Sequence, residues 1–140
     1  MTLTVEETTD LSEPHSVRRR VFIEEQGFAE AEEWDELDPI SVHLVVRDGG
    51  APVASARLMH DGDTGKIGRI CVLVNHRGRG LGAALVKHGV AYCRNAQGVA
   101  RVYLSAQDHA IPFYERLGFA AYGEVYLDGT VPHRDMELRF

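Results

Sequence analysis

Long apolar runs are missing from this chain, and so is any surplus of positive charge. No stretch approaches the roughly 20 apolar residues that span a bilayer. The N-terminus, Met1-Thr2-Leu3-Thr4-Val5-Glu6-Glu7, has neither the basic nor the apolar region of a secretory signal. Fifteen lysines and arginines stand against 21 acidic residues, a net charge of -6. That balance argues against nucleic acid and against an anionic membrane as partners. Cysteine is scarce. Cys71 and Cys93 sit in apolar contexts without CxxC or metal-ligand spacing. They read as buried free thiols in a reducing cytoplasm. The seven histidines form no HExxH or other zinc spacing, so no metal is expected. Linkers, internal repeats and low-complexity segments are also missing.

What remains is an ordinary globular composition, 44% apolar and 26% charged over 140 residues. One domain over 1–140 is expected, long enough to bury a core without staples. Weak alternation over 2–6 suggests a first strand. Ser12-Glu13-Pro14 opens a helix that Gly27 ends. Glu24 to Asp38 carries eight acids and no lysine or arginine. It reads as a loop, with at most a short helix, and a charge run of this kind is ordinarily a solvated face. Strands follow over 42–47, 52–59 and 66–74, separated by the turns Asp48-Gly49-Gly50 and 61–65. A helix over 81–95 is apolar on most faces and reads as largely buried. A strand over 101–106 leads to a helix from Asp108 to Leu117, whose Ala110, Phe113, Tyr114 and Leu117 form an i, i+3, i+4, i+7 stripe. Strands over 119–127 and 136–140 close the chain. The order implies an α/β or α+β layer architecture with a mixed sheet.

The chemistry concentrates at Arg77-Gly78-Arg79-Gly80-Leu81-Gly82, between an apolar strand and a helix. A helix N-terminus leaves backbone N–H groups unpaired. The helix dipole adds partial positive charge, glycines permit close approach, and Arg77 and Arg79 add full charge. This is an anion site or, more plainly, a tight turn with surface arginines. The glycine spacing fits neither the GxGxxG dinucleotide fingerprint nor a P-loop.

Arg77-x-x-Gly80-x-Gly82 after an apolar strand resembles the acetyl-CoA loop of the GNAT superfamily of N-acyltransferases. A second block agrees: Leu104-Ser105-Ala106-Gln107, then Phe113-Tyr114-Glu115-Arg116-Leu117-Gly118-Phe119. More narrowly, the chain resembles the small bacterial ElaA-like branch. The matching residues are Arg20-Val21-Phe22, Glu25-Gln26, the acidic segment, His43, Gly68-Arg69-Ile70, His133 and Met136. Val74 departs from the pattern, since many members carry proline there.

The resemblance implies a mostly antiparallel central sheet with a splayed parallel pair, flanked by helices. It also implies acetyl transfer from acetyl-CoA to a primary amine of a small molecule or peptide, by direct attack on the thioester. It assigns pantetheine pairing to Ile70, Cys71 and Val72. The diphosphate falls to Arg77, Gly78, Arg79, Gly80, Leu81, Gly82 and Ala83, and a cofactor contact to Gln107. Tyr114 becomes the general acid, against a plain core role on its apolar stripe. A base or a water chain is needed; Glu33, Asp35, Asp38 and His133 are the candidate bases, with a capping role the equal alternative for His133. The three acids are also candidates to hold a cationic substrate. His43 reads as a core histidine. Members are often dimers. A CoA-binding or sensing module without chemistry is the alternative function, and a phosphate-binding α/β domain a third.

Overall fold

The computed structural model describes residues 3–140. Seven strands form one sheet in the order β1-β2-β3-β4-β5-β7-β6. The elements are β1 (Val5–Thr8), α1 (Ser12–Arg18), α2 (Glu30–Glu33), β2 (Val42–Asp48), β3 (Ala51–Asp61), β4 (Thr64–Val72), α3 (Leu81–Asn95), β5 (Arg101–Gln107), α4 (Ile111–Arg116), β6 (Ala120–Asp128) and β7 (Val131–Arg139). The mixed sheet of the sequence reading is present: all neighbours run antiparallel except β4 and β5. The first strand begins at Val5 rather than Thr2, and residues 1 and 2 lie outside the described residues.

α1 does not stop at Arg18. It widens into a π-helix, Arg19–Glu25, in which Gln26 N–H donates to the Val21 carbonyl, five residues back. α3 is less buried than its composition suggests. Leu81, Leu85, Val86, Gly89 and Cys93 form one buried stripe, while Tyr92 is 42% exposed. Gly89 sits where α3 touches the sheet, for a Cβ there would lie 2.8 Å from Ile67 Cδ1. The core lies between α1, α3 and the sheet, built from Val17, Leu44, Val46, Leu58, Leu85, Val86, Leu104 and Met136. Cys71 and Cys93 are buried free thiols.

The acidic segment is a solvated face only in part: Glu24, Glu25, Glu30, Glu32 and Glu36 are exposed. It holds α2 and a 3-10 turn, Asp38–Ile40, and Glu33, Asp35 and Asp38 enter a closed ring of ion pairs. Arg18 Nε meets Glu33 Oε2 at 2.8 Å, and Arg69 Nε meets the same oxygen at 3.0 Å. Arg69 Nη2 lies 3.4 Å from Asp35, Arg57 Nη1 2.8 Å from Asp35 and 3.0 Å from Asp38, and Arg18 Nη1 2.8 Å from Asp38. Three guanidinium groups thus alternate with three carboxylates. Burial alone would raise the Asp38 pKa, but hydrogen bonds from Arg18, Arg57 and His15 hold it well below the usual carboxylate range. Trp34 covers one side, with Arg18 and Arg19 each 5.3 Å from its ring centre.

Removing one partner of a buried pair strands the others. Asp38→Ala is therefore expected to cost roughly 3–5 kcal/mol in urea unfolding. Glu30→Ala, which breaks the exposed pair with Arg19, should leave the midpoint almost unmoved. Equal midpoints for the two variants would show that the ring does not hold the segment. A second expectation concerns Glu13, whose carboxylate accepts from Arg47 Nε at 2.6 Å and from Thr8 Oγ1 at 2.6 Å. Hydrogen bonding to Arg47 and then to Thr8 holds its pKa down to about 2. A depressed carboxyl pKa stabilises above the unfolded value and loses that contribution as pH falls through the folded one. The stability gap between the parent and Glu13→Gln should thus be full at neutral pH, shrink below about pH 4.5 and nearly vanish at about pH 2. A gap that persists in acid would count against the pairing.

Candidate active site

β4 and β5 pair over only three rungs, Thr64↔Arg101, Gly65↔Val102 and Lys66↔Tyr103. Beyond them the strands splay, although β4 runs on to Val72 and β5 to Gln107. The backbone of β4 from Ile67 onward therefore lacks strand partners on its β5 side. A cleft of about 780 Å³ opens there, lined by Ile70, Cys71, Val72, Gln107, Tyr114 and His133 among others. A ligand of cofactor size fits such a volume. A smaller cavity of about 230 Å³, between Arg20, Asp48 and His76, shares none of its lining. On the other edge of β4 the register shifts. Ser55 pairs with Cys71 and Arg57 with Gly68, so Arg69 and Ile70 together face Ala56. Arg69 takes φ 51°, a left-handed conformation in this bulge.

At the open end of the wedge lies the glycine loop. Gly78 and Gly80 take φ 80° and 78°, left-handed conformations that a side chain would strain. Gly80 is the N-cap of α3, and no side chain caps the helix. Ala84 N–H donates to the Gly80 carbonyl, so the N–H groups of Leu81, Gly82 and Ala83 precede the first helical hydrogen bond. The Leu81 side chain is 7% exposed and anchors the loop in the core, while Gly82 lines the cleft. The two arginines differ in role. Arg77 forms a bidentate pair with Glu25 at 2.6 and 2.7 Å, and its Nε donates to the Val72 carbonyl. Its charge is matched within the chain. Arg79 is exposed and pairs with no described residue.

Tyr114, on α4, is 9% exposed and lines the cleft as well as the core. Its ring belongs to the core cluster and borders the cleft at once. Burial, with a smaller contribution from neighbouring Cys71, pushes its phenol up to about 12, so it stays protonated. Burial likewise pushes the Cys71 thiol up to about 12, which leaves it a poor nucleophile.

His133, on β7, is 6% exposed. Its Nδ1 donates to the Val131 carbonyl at 2.9 Å. That bond requires the proton on Nδ1, so the neutral ring keeps its lone pair on Nε2. Tyr126 stacks on the ring at 6.2 Å. Tyr126 and Tyr103 both donate to Asp135 Oδ1, at 2.7 and 2.6 Å, and make the neighbouring wall polar.

Gln107 Nε2 donates to Gln26 Oε1 at 2.9 Å, and His109 Nε2 donates to Gln107 Oε1 at 2.8 Å. Gln26 thus reaches across the cleft mouth from the π-helix. Of the three acids singled out in the sequence, none offers a free carboxylate. Glu33 and Asp38 are 5% and 3% exposed, and all three belong to the ion-pair ring. Asp38 does not line the cleft, and Glu33 does so only as part of its floor with Arg57 and Arg69. His43 is a core histidine, its Nε2 donating to the Asp38 carbonyl, while its Nδ1 finds no partner. The sequence reading did not single out Arg18, Arg57, Glu32, Tyr126 or Asp128. Periodicity gives no signal for a cation buried on a helix or strand. No group of three or more metal-ligating side chains occurs among the described residues.

Known proteins share this fold. The Acetyltransferase (GNAT) family model matches residues 6–119. The uncharacterized N-acetyltransferase YjcF of Bacillus subtilis is 38% identical over 127 residues, covering 90% of each chain. The crystal structure of Escherichia coli ElaA superposes with a TM-score of 0.87 at 27% identity, over 99% of this chain and 100% of that one. An acyl-CoA N-acyltransferase from Pseudomonas aeruginosa gives a TM-score of 0.86 at 30% identity, over 98% and 99%. The cleft between splayed strands, the uncapped helix and the matched residues together place this chain in the GNAT acetyltransferase family.

Proposed function

We propose that this protein transfers an acetyl group from acetyl-CoA to a primary amine, by direct attack of the amine on the thioester. One observation carries the reading. A single cleft runs from the uncapped α3 N-terminus between two splayed strands and meets a protonated phenol and an unprotonated imidazole nitrogen. Acetyl-CoA, when bound, supplies an activated acyl group. The N–H groups from Arg77 through Ala83 hold its diphosphate, with Arg79 adding charge and Gly78 and Gly80 providing the turn. Ile70, Cys71 and Val72, on the edge of β4 that β5 leaves open, run alongside the amides of the pantetheine arm, with the Val72 carbonyl already accepting from Arg77 Nε. Gln107 exchanges Gln26 for the ligand.

His133 Nε2 takes the proton from the acceptor ammonium. An amine of ordinary pKa, near 10.4 for a lysine-like group, is otherwise charged and unreactive at neutral pH. Tyr114 gives its proton to the departing sulfur. The inert Cys71 thiol supports direct transfer over an acyl-enzyme route. Two buried free thiols also suit a reducing cytoplasm. The presence of an acid and a base on one cleft favours catalysis over a CoA-sensing module.

Acetyl-CoA is expected to raise the melting temperature by mass action. The absence of a shift at millimolar ligand would remove the reading. Tyr114→Phe should lower kcat by ~100-fold in a thiol-release assay while changing acetyl-CoA affinity little. Its pKa near 12 sets the sign of the pH profile. Activity should rise with pH as the amine deprotonates, with no descending limb from Tyr114 until its pKa is approached. An unchanged kcat in Tyr114→Phe would rule out the general-acid role.

A further inference from the structure

We propose that the acceptor is a diammonium compound, held by Glu32 and Asp128 at one end while His133 deprotonates the other. The proposal rests on the amine-acceptor reading above and names its substrate class. A charge balance around the cleft carries it. Its four cationic residues are all matched within the chain: Arg57 and Arg69 in the ring, Arg77 by Glu25, and Lys66 by Asp61 at 3.6 Å. Glu25 and Glu33 are matched in the same way. Glu32 and Asp128 also line the cleft, yet neither has a cation within 4.0 Å among the described residues. The cleft therefore carries two uncompensated negative charges.

These two acids approach from opposite sides. Glu32 lies on α2, and Asp128 opens the β6–β7 turn. The turn packs onto the acidic segment, for a Cβ on Gly129 would lie 3.2 Å from Phe28 Cε1 and 3.8 Å from Glu32 Oε2. Two uncompensated carboxylates on facing elements favour a cation between them. A second, independent observation points the same way. His133 is 6% exposed, its Nδ1 is committed to Val131, and its Nε2 has no partner at the cleft wall.

The sheet fixes the distance between the two ends. Asp128 pairs with Val131 and Tyr126 with His133, so Asp128 and His133 share one face, offset by two residues. That offset is about 7 Å along the strands, the span of two ammonium groups on a short aliphatic spacer. An anionic acceptor fits less well. Both guanidinium groups on the cleft floor, Arg57 and Arg69, already face carboxylates.

Three probes of similar length separate the possibilities: putrescine, n-butylamine and γ-aminobutyrate. Each is titrated calorimetrically into CoA-saturated protein, and thiol release is followed separately with acetyl-CoA. Putrescine should bind ~10-fold or more tightly than n-butylamine, and γ-aminobutyrate more weakly still. Glu32→Gln and Asp128→Asn, both at exposed positions, should each erode that advantage, and added salt should do the same. Equal binding of putrescine and n-butylamine, preferred binding of γ-aminobutyrate, or variants that keep the full advantage would overturn the diammonium assignment. A protein that binds CoA but acylates none of the three would instead overturn the transferase reading.

Discussion

Six charges closed into one ring determine where the acidic segment of this molecule stands. The segment between the π-helix and β2 has few apolar residues, and hydrophobic burial alone would not pin it. Arg18, Arg57 and Arg69 pin it instead, drawing Glu33, Asp35 and Asp38 onto the sheet. Desolvating so many charges is costly, and only the alternation, in which every guanidinium meets two carboxylates, offsets it. The consequence is positional. With α2 fixed, Phe28 and Glu32 meet the β6–β7 turn, and the cleft gains its far wall.

The open edge of β4 rests on a different constraint. A parallel pair that ends after three rungs leaves backbone polar groups exposed on β4. In a closed sheet those groups would be satisfied by β5. Here they remain available, and the bulge at Arg69 and Ile70 bends the strand where it leaves its neighbour. The same splay brings the α3 N-terminus to the end of the wedge. Arg77 contributes by holding the strand end and Glu25 together rather than by offering free charge.

Much of this could be read from the residues. The helix over 81–95 matches its predicted bounds, because a long apolar segment between a glycine loop and Gln97-Gly98 admits few alternatives. Helix and strand order, the mixed sheet and the glycine loop were likewise legible, since they follow from local periodicity and turn chemistry. Burial of α3 was overestimated. Composition counts apolar residues, whereas the helix presents only one stripe to the sheet and leaves Tyr92 outside. The acidic segment misled more. A run of carboxylates without local cations looks solvated, but its partners come from α1, β3 and β4, 15 to 36 residues away in sequence.

The sequence by itself determined the glycine loop at the end of the cleft. Its elements are contiguous, and a strand, two glycines and a helix start suffice to define an uncapped helix N-terminus. Only the tertiary structure decided the far wall of the cleft. It is assembled from α2, β7 and a hairpin turn that lie far apart along the chain, and charge pairing across those elements settles which carboxylates are neutralised. Glu33, Asp35 and Asp38 are equivalent to Glu32 and Asp128 as residue types. What separates them is whether a guanidinium lies within reach once the chain has folded.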